Sequence, residues 1–72
     1  MRVLTVTRSS RPFAILRARD EAQAVRRACA MAQLPVDAGG RGEPLAAREP
    51  TDAEMIGWLI RRDDHLLAPI DG

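Results

Sequence analysis

The sequence predicts a small, single α+β domain over residues 1–72, with the element order β-β-α-α-β. Three observations carry this prediction. Two segments rich in β-branched residues flank a cluster of turn residues, which is typical of a β-hairpin. Two capping boxes, each a Thr or Asp followed three residues later by Glu or Gln, indicate the starts of two helices. A short apolar segment with a proline near the C-terminal end fits an edge strand. A chain of this length buries only about 60% of its unfolded surface, so we expect a thin core.

The hairpin is predicted from residues 2–8 and 13–19, joined by the turn cluster Ser9 to Pro12. Strand alternation then assigns the two faces. The face most easily buried carries Leu4, Val6, Ala14, Leu16 and Ala18. The opposite face carries Val3, Thr5, Thr7, Phe13, Ile15, Arg17 and Arg19, and is therefore half apolar and half cationic.

The first helix is predicted to begin after Asp20, whose capping partner is Gln23, and to run from about Glu21 to Gln33, before Pro35. At 100° per residue, one side of this helix is dominated by alanine. That side carries Ala22, Val25, Ala28, Cys29 and Ala32. Such small side chains let a helix approach a sheet closely, and Cys29 is interpreted as a small core residue and not a nucleophile.

Residues 35–50 contain three prolines and three glycines and show no periodicity, which predicts a flexible loop. The run 39–42, Gly-Gly-Arg-Gly, lacks the strand–turn–helix context of a phosphate cradle and the repetition of an RNA-binding segment. We therefore interpret it as part of the loop.

The second helix is predicted to begin at the capping box Thr51 to Glu54. Met55, Ile56, Leu59 and Ile60 fall on one side of it, and Glu54, Trp58, Arg61 and Arg62 fall toward the other. The segment from His65 to Ile70 is predicted as a last strand. Pro69 cannot donate a hydrogen bond to a neighbouring strand, so this strand should lie at an edge.

All eleven basic residues are arginine. Codon usage in a GC-rich genome explains the absence of lysine, but it does not explain where the charges lie. Residues 1–36 hold seven Arg against two carboxylates, whereas residues 37–72 hold four Arg against eight carboxylates. The net charge of +1 therefore hides two halves of opposite sign.

The sequence contains three groups of candidate contact residues. The first is a set of arginines on the hairpin and first helix, the second the apolar residues Phe13, Ile15 and Trp58, and the third the acidic pair after the second helix. Arginine beside aromatic residues is typical of interface hot spots, although a small core or a dimer could also cover the apolar ones. The predicted partner-binding residues are Arg11, Phe13, Ile15, Arg17, Arg19, Arg26, Arg27, Trp58, Asp63 and Asp64.

Asp63 and Asp64 oppose the helix dipole if they lie in the last turn. Three explanations stay open: they lie past the helix, they pair with nearby arginines, or they present negative charge to a basic partner. Asp63, Asp64 and His65 are adjacent and cannot easily converge on one metal ion. No nucleophile–base pair is evident, so we expect no metal, no cofactor and no enzymatic activity.

Residues 13–30, FAILRARDEAQAVRRACA, resemble the strand-then-Ala-rich-helix unit of many small phage and mobile-element proteins, anti-CRISPR inhibitors among them. The resemblance covers the first half of the chain and assigns no functional residue. It implies a non-enzymatic protein that inhibits a bacterial defence complex by occluding its surface. Adaptors and antitoxin-like regulators share these properties, and a small nucleic-acid-binding β-β-α module is the other alternative.

The expected partner is a protein, such as a nucleic-acid-binding defence complex. Nucleic acid itself is the weaker candidate, because stacking aromatics are scarce and the net charge is close to zero. Homodimerisation through the hairpin face or Trp58 is a further expectation. The sequence has no signal-peptide pattern and no long apolar run, which predicts a cytoplasmic location in a bacterial host and no membrane association.

Overall fold

The computed structural model describes residues 1–33 and 44–67. Strands β1 (Arg2–Arg8) and β2 (Arg11–Ala18) form the antiparallel hairpin that the sequence predicts. The turn is shorter than predicted: it consists of Ser9 and Ser10, with φ angles of 52° and 67°, and Arg11 and Pro12 already belong to β2. Two consecutive positive φ angles are the signature of a type I′ turn, whose twist matches that of the paired strands.

The hairpin contains a β-bulge, where the register shifts between Val6 and Thr7. Val6 pairs with Ala14 and Thr7 pairs with Pro12, so Phe13 is the extra residue. Strict alternation places Phe13 on the same face as Ile15, but Phe13 joins the buried cluster of the other face. The alternation argument was wrong for Phe13 because a bulge interrupts the period of two.

Helix α1 (Glu21–Met31) begins as predicted, with the Asp20 carboxylate accepting a hydrogen bond from the Gln23 amide at 2.8 Å. The Gln23 side chain accepts from the amide of Arg19, one residue before the cap. The helix ends two residues earlier than predicted. Gln33, which was expected within the helix, has a φ of 60° and its amide donates to Ala30.

The main core lies between α1 and the hairpin face that was predicted to be buried. Ala24 and Ala28 of α1 pack there with no exposed surface, and Cys29 is also fully buried. The residues of the sheet side are Leu4, Val6, Phe13, Ala14, Leu16 and Ala18. Because the helix contributes alanines, it can lie close to the sheet. The predicted small-residue side was right for Ala28 and Cys29 but wrong for Ala22, which is exposed, and it omitted the fully buried Ala24.

Strand β3 (Leu45–Arg48) lies in the segment that was predicted as a loop, and it pairs antiparallel with β1. Two alanines and the flanking Pro44 and Pro50 hide this strand from pattern analysis, since alanine and proline are both depleted in strands. The rest of the predicted loop that precedes Pro44, including the run 39–42, lies outside the described residues.

Helix α2 (Asp52–Arg61) and strand β4 (His65–Leu66) complete the described fold. The described strands form one antiparallel sheet in the order β3-β1-β2-β4. The fold is therefore α+β with the predicted β-β-α-α-β order, to which β3 is added. Strand β4 is the expected edge strand, while residues 68–70 of that prediction lie outside the described part of the chain.

The two helices lie on opposite faces of the sheet. Helix α1 covers Leu4 and Leu16, whereas α2 reaches Thr5 and Arg17, which point the other way. Within residues 1–33 and 44–67, neither helix has the length and apolar character needed to cross a membrane.

Candidate docking surface

The three apolar residues predicted to anchor a partner are buried within the chain. Phe13 is 8% exposed, Ile15 0% and Trp58 7%. The sequence left open whether these residues face a partner or are covered by a small core or a dimer, and the structure shows that the fold of the chain itself buries them. Phe13 belongs to the α1 side, and the Arg8 guanidinium lies 5.7 Å from the centre of its ring. Trp58 lies on the side of α2 that faces the sheet, beside Arg17.

Arg17, Arg27 and Asp64, all predicted as contact residues, are brought together and bind one another. The Asp64 carboxylate accepts from the Arg17 amide at 3.1 Å and from the Arg27 guanidinium at 3.0 Å. Arg27 also donates to the Arg17 carbonyl at 2.8 Å, and the Arg17 guanidinium lies 5.7 Å from the Trp58 ring. This cluster links the segment after α2 to both β2 and α1.

Asp63 and Asp64 lie past the last turn of α2, which ends at Arg61 and is capped by Arg62 in the left-handed backbone conformation. The Asp63 carboxylate lies 3.4 Å from Arg61 Nε, and the backbone carbonyl oxygen of Asp63 lies 2.8 Å from His65 Nδ1. Two of the three explanations for Asp63 and Asp64 therefore hold together: both lie beyond the helix and both pair with arginine.

Ion pairs between the two halves of the chain neutralise part of their opposite charge. Arg2 pairs with Glu49 at 3.1 Å, and Arg17 and Arg27 pair with Asp64. Each pair joins the basic first half to the acidic second half. The segregation along the chain is thus partly cancelled when the two halves fold together.

Arg11, Arg19 and Arg26 are exposed and form no ion pair with another described residue. Arg11 begins β2 and Arg19 follows its end, so the two are separated by about 25 Å at ~3.3 Å per residue. Arg26 projects from α1. Arg11 and Arg19 therefore lie too far apart to share one compact phosphate-binding patch.

Glu54 anchors α2 to the sheet, a role that the sequence did not single out. Its carboxylate accepts two hydrogen bonds from Arg48 of β3, at 2.9 and 3.0 Å, and one from the buried Thr5 hydroxyl at 2.9 Å. It also accepts from the Thr51 amide, completing the predicted capping box.

These contacts shift the ionisation of both partners. The hydrogen bond from Arg48 lowers the pKa of Glu54 to about 2, and the bonds from Thr51 and Thr5 act in the same direction against partial burial. The same pair raises the pKa of Arg48. Glu54 is therefore a charged attachment point throughout the neutral range.

The anchored side of α2 leaves the other side in solvent. Ile56 is 59% exposed, Leu59 54% and Ile60 78%. We call these three residues the α2 stripe. At 100° per residue they lie within one face of the helix, opposite Glu54 and Trp58.

Periodicity identifies the α2 stripe but does not say which side of the helix meets the sheet. The sheet face under α2 offers Ile15 as a buried apolar side chain, together with Thr5 and the charged Arg17. Such a face suits one tryptophan and one carboxylate better than three aliphatic side chains. Three large aliphatic residues so exposed on one helix form an apolar surface of a kind that is uncommon on a monomer.

The described residues offer little other chemistry. They contain no cluster of three or more His, Cys, Asp or Glu side chains that could hold a metal ion, and Cys29 is buried. Every buried side-chain nitrogen or oxygen in this part of the chain has a hydrogen-bond partner.

No protein-family model, curated protein or solved structure matches this chain.

Proposed function

We propose that this protein is a non-enzymatic interaction module that inhibits a partner by occluding its surface, in the manner of an anti-CRISPR inhibitor of a bacterial defence complex. The observation that carries the proposal is the α2 stripe. Its three aliphatic side chains lie on a helix whose opposite side is held by Trp58 and Glu54. The helix therefore presents a fixed apolar surface without needing to rearrange.

The contact surface differs from the residues selected by sequence. Phe13, Ile15 and Trp58 are all buried within the fold, Phe13 in the core on the α1 side and Trp58 on the inner side of α2, and Asp64 holds the segment that follows α2. Ile60, the most exposed residue of the stripe, is the natural anchor, because apolar residues buried at the centre of an interface carry much of the binding energy. Arg62, exposed at the end of α2, belongs to the polar rim.

The first test is functional. The wild-type chain is expressed in bacteria that carry individual CRISPR interference systems, and phage plaquing is measured for each system. We expect it to restore plaquing in at least one system and Ile60→Arg to lose this effect, because a cation on the stripe blocks burial. Leu66→Arg, a matched change at an exposed apolar position on β4, should retain it. No effect of wild type in any system would reject the inhibitor proposal.

A second measurement separates this proposal from nucleic-acid binding. Wild type is titrated with a DNA duplex and with single-stranded DNA and RNA at low and high salt. The wide separation of Arg11 and Arg19 leads us to expect no tight complex. Binding that weakens steeply with salt and is lost in Arg19→Ala or Arg26→Ala would favour the nucleic-acid-binding alternative.

A further inference from the structure

We propose that the α2 stripe is covered by the α2 stripe of a second copy when the partner is absent, with the two helices antiparallel. This inference rests on the proposed function, since it specifies how the same surface is protected and regulated. The dimer would be the resting form, and it would dissociate when the partner binds the stripe.

The distribution of side-chain size along the exposed side of α2 is self-complementary in one orientation. Ala53 is exposed one turn before Ile56, on the same side as Ile60, which lies one turn after it. In an antiparallel pair, Ile60 of one copy lies against Ala53 of the other, while the two Ile56 side chains meet near the two-fold axis. A parallel pair would place Ile60 against Ile60 and leave a gap at Ala53. Large residues facing small ones favour the antiparallel arrangement.

Charges at the helix ends favour the same orientation. Asp52 is exposed at the N-terminal end of α2, and Arg62 is exposed at its C-terminal cap. Antiparallel helices bring Asp52 of each copy near Arg62 of the other and align their dipoles favourably. Parallel helices would instead place like charges and like helix ends side by side.

Gly57 provides an independent observation. It lies inside α2 with no positive φ, and a Cβ added to it meets nothing within 4 Å. Neither backbone geometry nor packing against residues 1–33 and 44–67 accounts for this glycine, although it costs the helix about 1 kcal/mol relative to alanine. Gly57 borders the side that carries Ala53 and Ile60, where the absence of a side chain lets a second helix approach closely.

The expected dimer is weak. The solvent-accessible surface of the described chain is 4674 Å². A stable interface takes about 800 Å² from each partner, whereas a ten-residue helix is only about 15 Å long and offers less. We therefore expect a dissociation constant on the order of 10–100 µM, which a tighter complex with another protein can displace.

The test is analytical ultracentrifugation of the full chain from about 5 to about 500 µM, a range that spans the expected dissociation constant. Wild type should change from monomer to dimer, whereas Ile60→Arg and Gly57→Leu should stay monomeric and Leu66→Arg should dimerise like wild type. Circular dichroism of each variant confirms that it is folded. A wild type that stays monomeric at the highest concentration, or a dimer that survives Ile60→Arg, would overturn the proposal.

The orientation is tested by exchanging the large and small residues. Ala53→Ile and Ile60→Ala should each weaken dimerisation, about tenfold or more. The double variant should recover most of the loss, because an antiparallel pair again places isoleucine against alanine. Failure of the double variant to recover would exclude the antiparallel register.

Failure of the dimer and failure of the proposed function give different results. A monomeric wild type whose inhibition is still lost in Ile60→Arg overturns the dimer and leaves the function intact. A wild type that dimerises through Ile60 but inhibits no defence system supports the dimer and rejects the inhibitor proposal. Where both hold, Ala53→Ile combined with Ile60→Ala separates them, since it restores the dimer without restoring the original partner-binding surface.

Discussion

The two helices of this protein are attached to the same sheet in different ways. Helix α1 packs the fully buried Ala24 and Ala28 against the hairpin, so its contact is close and apolar. Helix α2 is held by the Trp58 ring and by the hydrogen-bonded carboxylate of Glu54. The comparison shows that a helix fixed by a few strong contacts can leave its aliphatic side free for another molecule.

The largest expected effect tests the orientation of α2. Trp58→Ala should lower the free energy of unfolding by about 3–5 kcal/mol, because it removes a large buried aromatic side chain and the ring beside Arg17. Urea denaturation followed by circular dichroism measures this loss. Ile60→Ala is the matched control, and its effect should be about 0.5 kcal/mol or less in the monomer. Equal losses in the two variants would mean that the aliphatic side, too, is buried.

A smaller effect is expected when the close contact of α1 is overfilled. Ala28→Leu should destabilise the protein by about 1–3 kcal/mol, since the fully buried Ala28 leaves no room for a larger side chain. Ala30→Leu changes an exposed alanine of the same helix and should stay within about 0.5 kcal/mol of wild type. If thermal unfolding shows similar midpoints for the two variants, the Ala-dominated contact does not hold α1 as described.

The smallest effect concerns the ionic attachment of α2. The pKa of Glu54 is about 2 in the folded protein, whereas the ordinary value for a glutamate side chain is 4.5. Its contribution to stability is therefore complete above about pH 4.5 and decreases as the pH falls toward 2. We expect a loss of about 1–2 kcal/mol over this range, reduced by the solvent that reaches Arg48.

Glu54→Gln isolates this charge, since glutamine can still complete the capping box with Thr51. Free energies of unfolding are measured between about pH 2 and pH 6, which brackets both pKa values. The difference between wild type and Glu54→Gln should shrink toward the acid end. Curves that stay parallel would show that Glu54 does not carry the acid dependence.

Local signals in the sequence predicted much of the fold. The hairpin, the first helix cap at Asp20 and the second at Thr51 each depend on residues close together in the chain. The first two strands and the starts of both helices were therefore predictable. Strand β3 was not, because its short Ala-containing segment is stabilised by pairing with the distant β1.

The candidate site was predicted less well than the fold. Arg17, Arg27 and Asp64 do come together, but as an internal ion-paired cluster. Trp58 was selected because it lies off the apolar side of its helix, and this same property places it against the sheet. The one sequence signal that pointed to the exposed side is the unexplained Gly57 beside it.

The sequence by itself determined the first two strands, the capping residues of both helices and the two-signed distribution of charge, because these follow from near neighbours and from composition. Only the tertiary structure decided which side of α2 meets the sheet. That choice depends on the surface that the hairpin offers, where Arg17 lies beside the Trp58 ring and the Thr5 hydroxyl binds the Glu54 carboxylate. A helical period is the same whichever side is buried, so the exposed aliphatic side of α2 emerges only from the packing of distant segments.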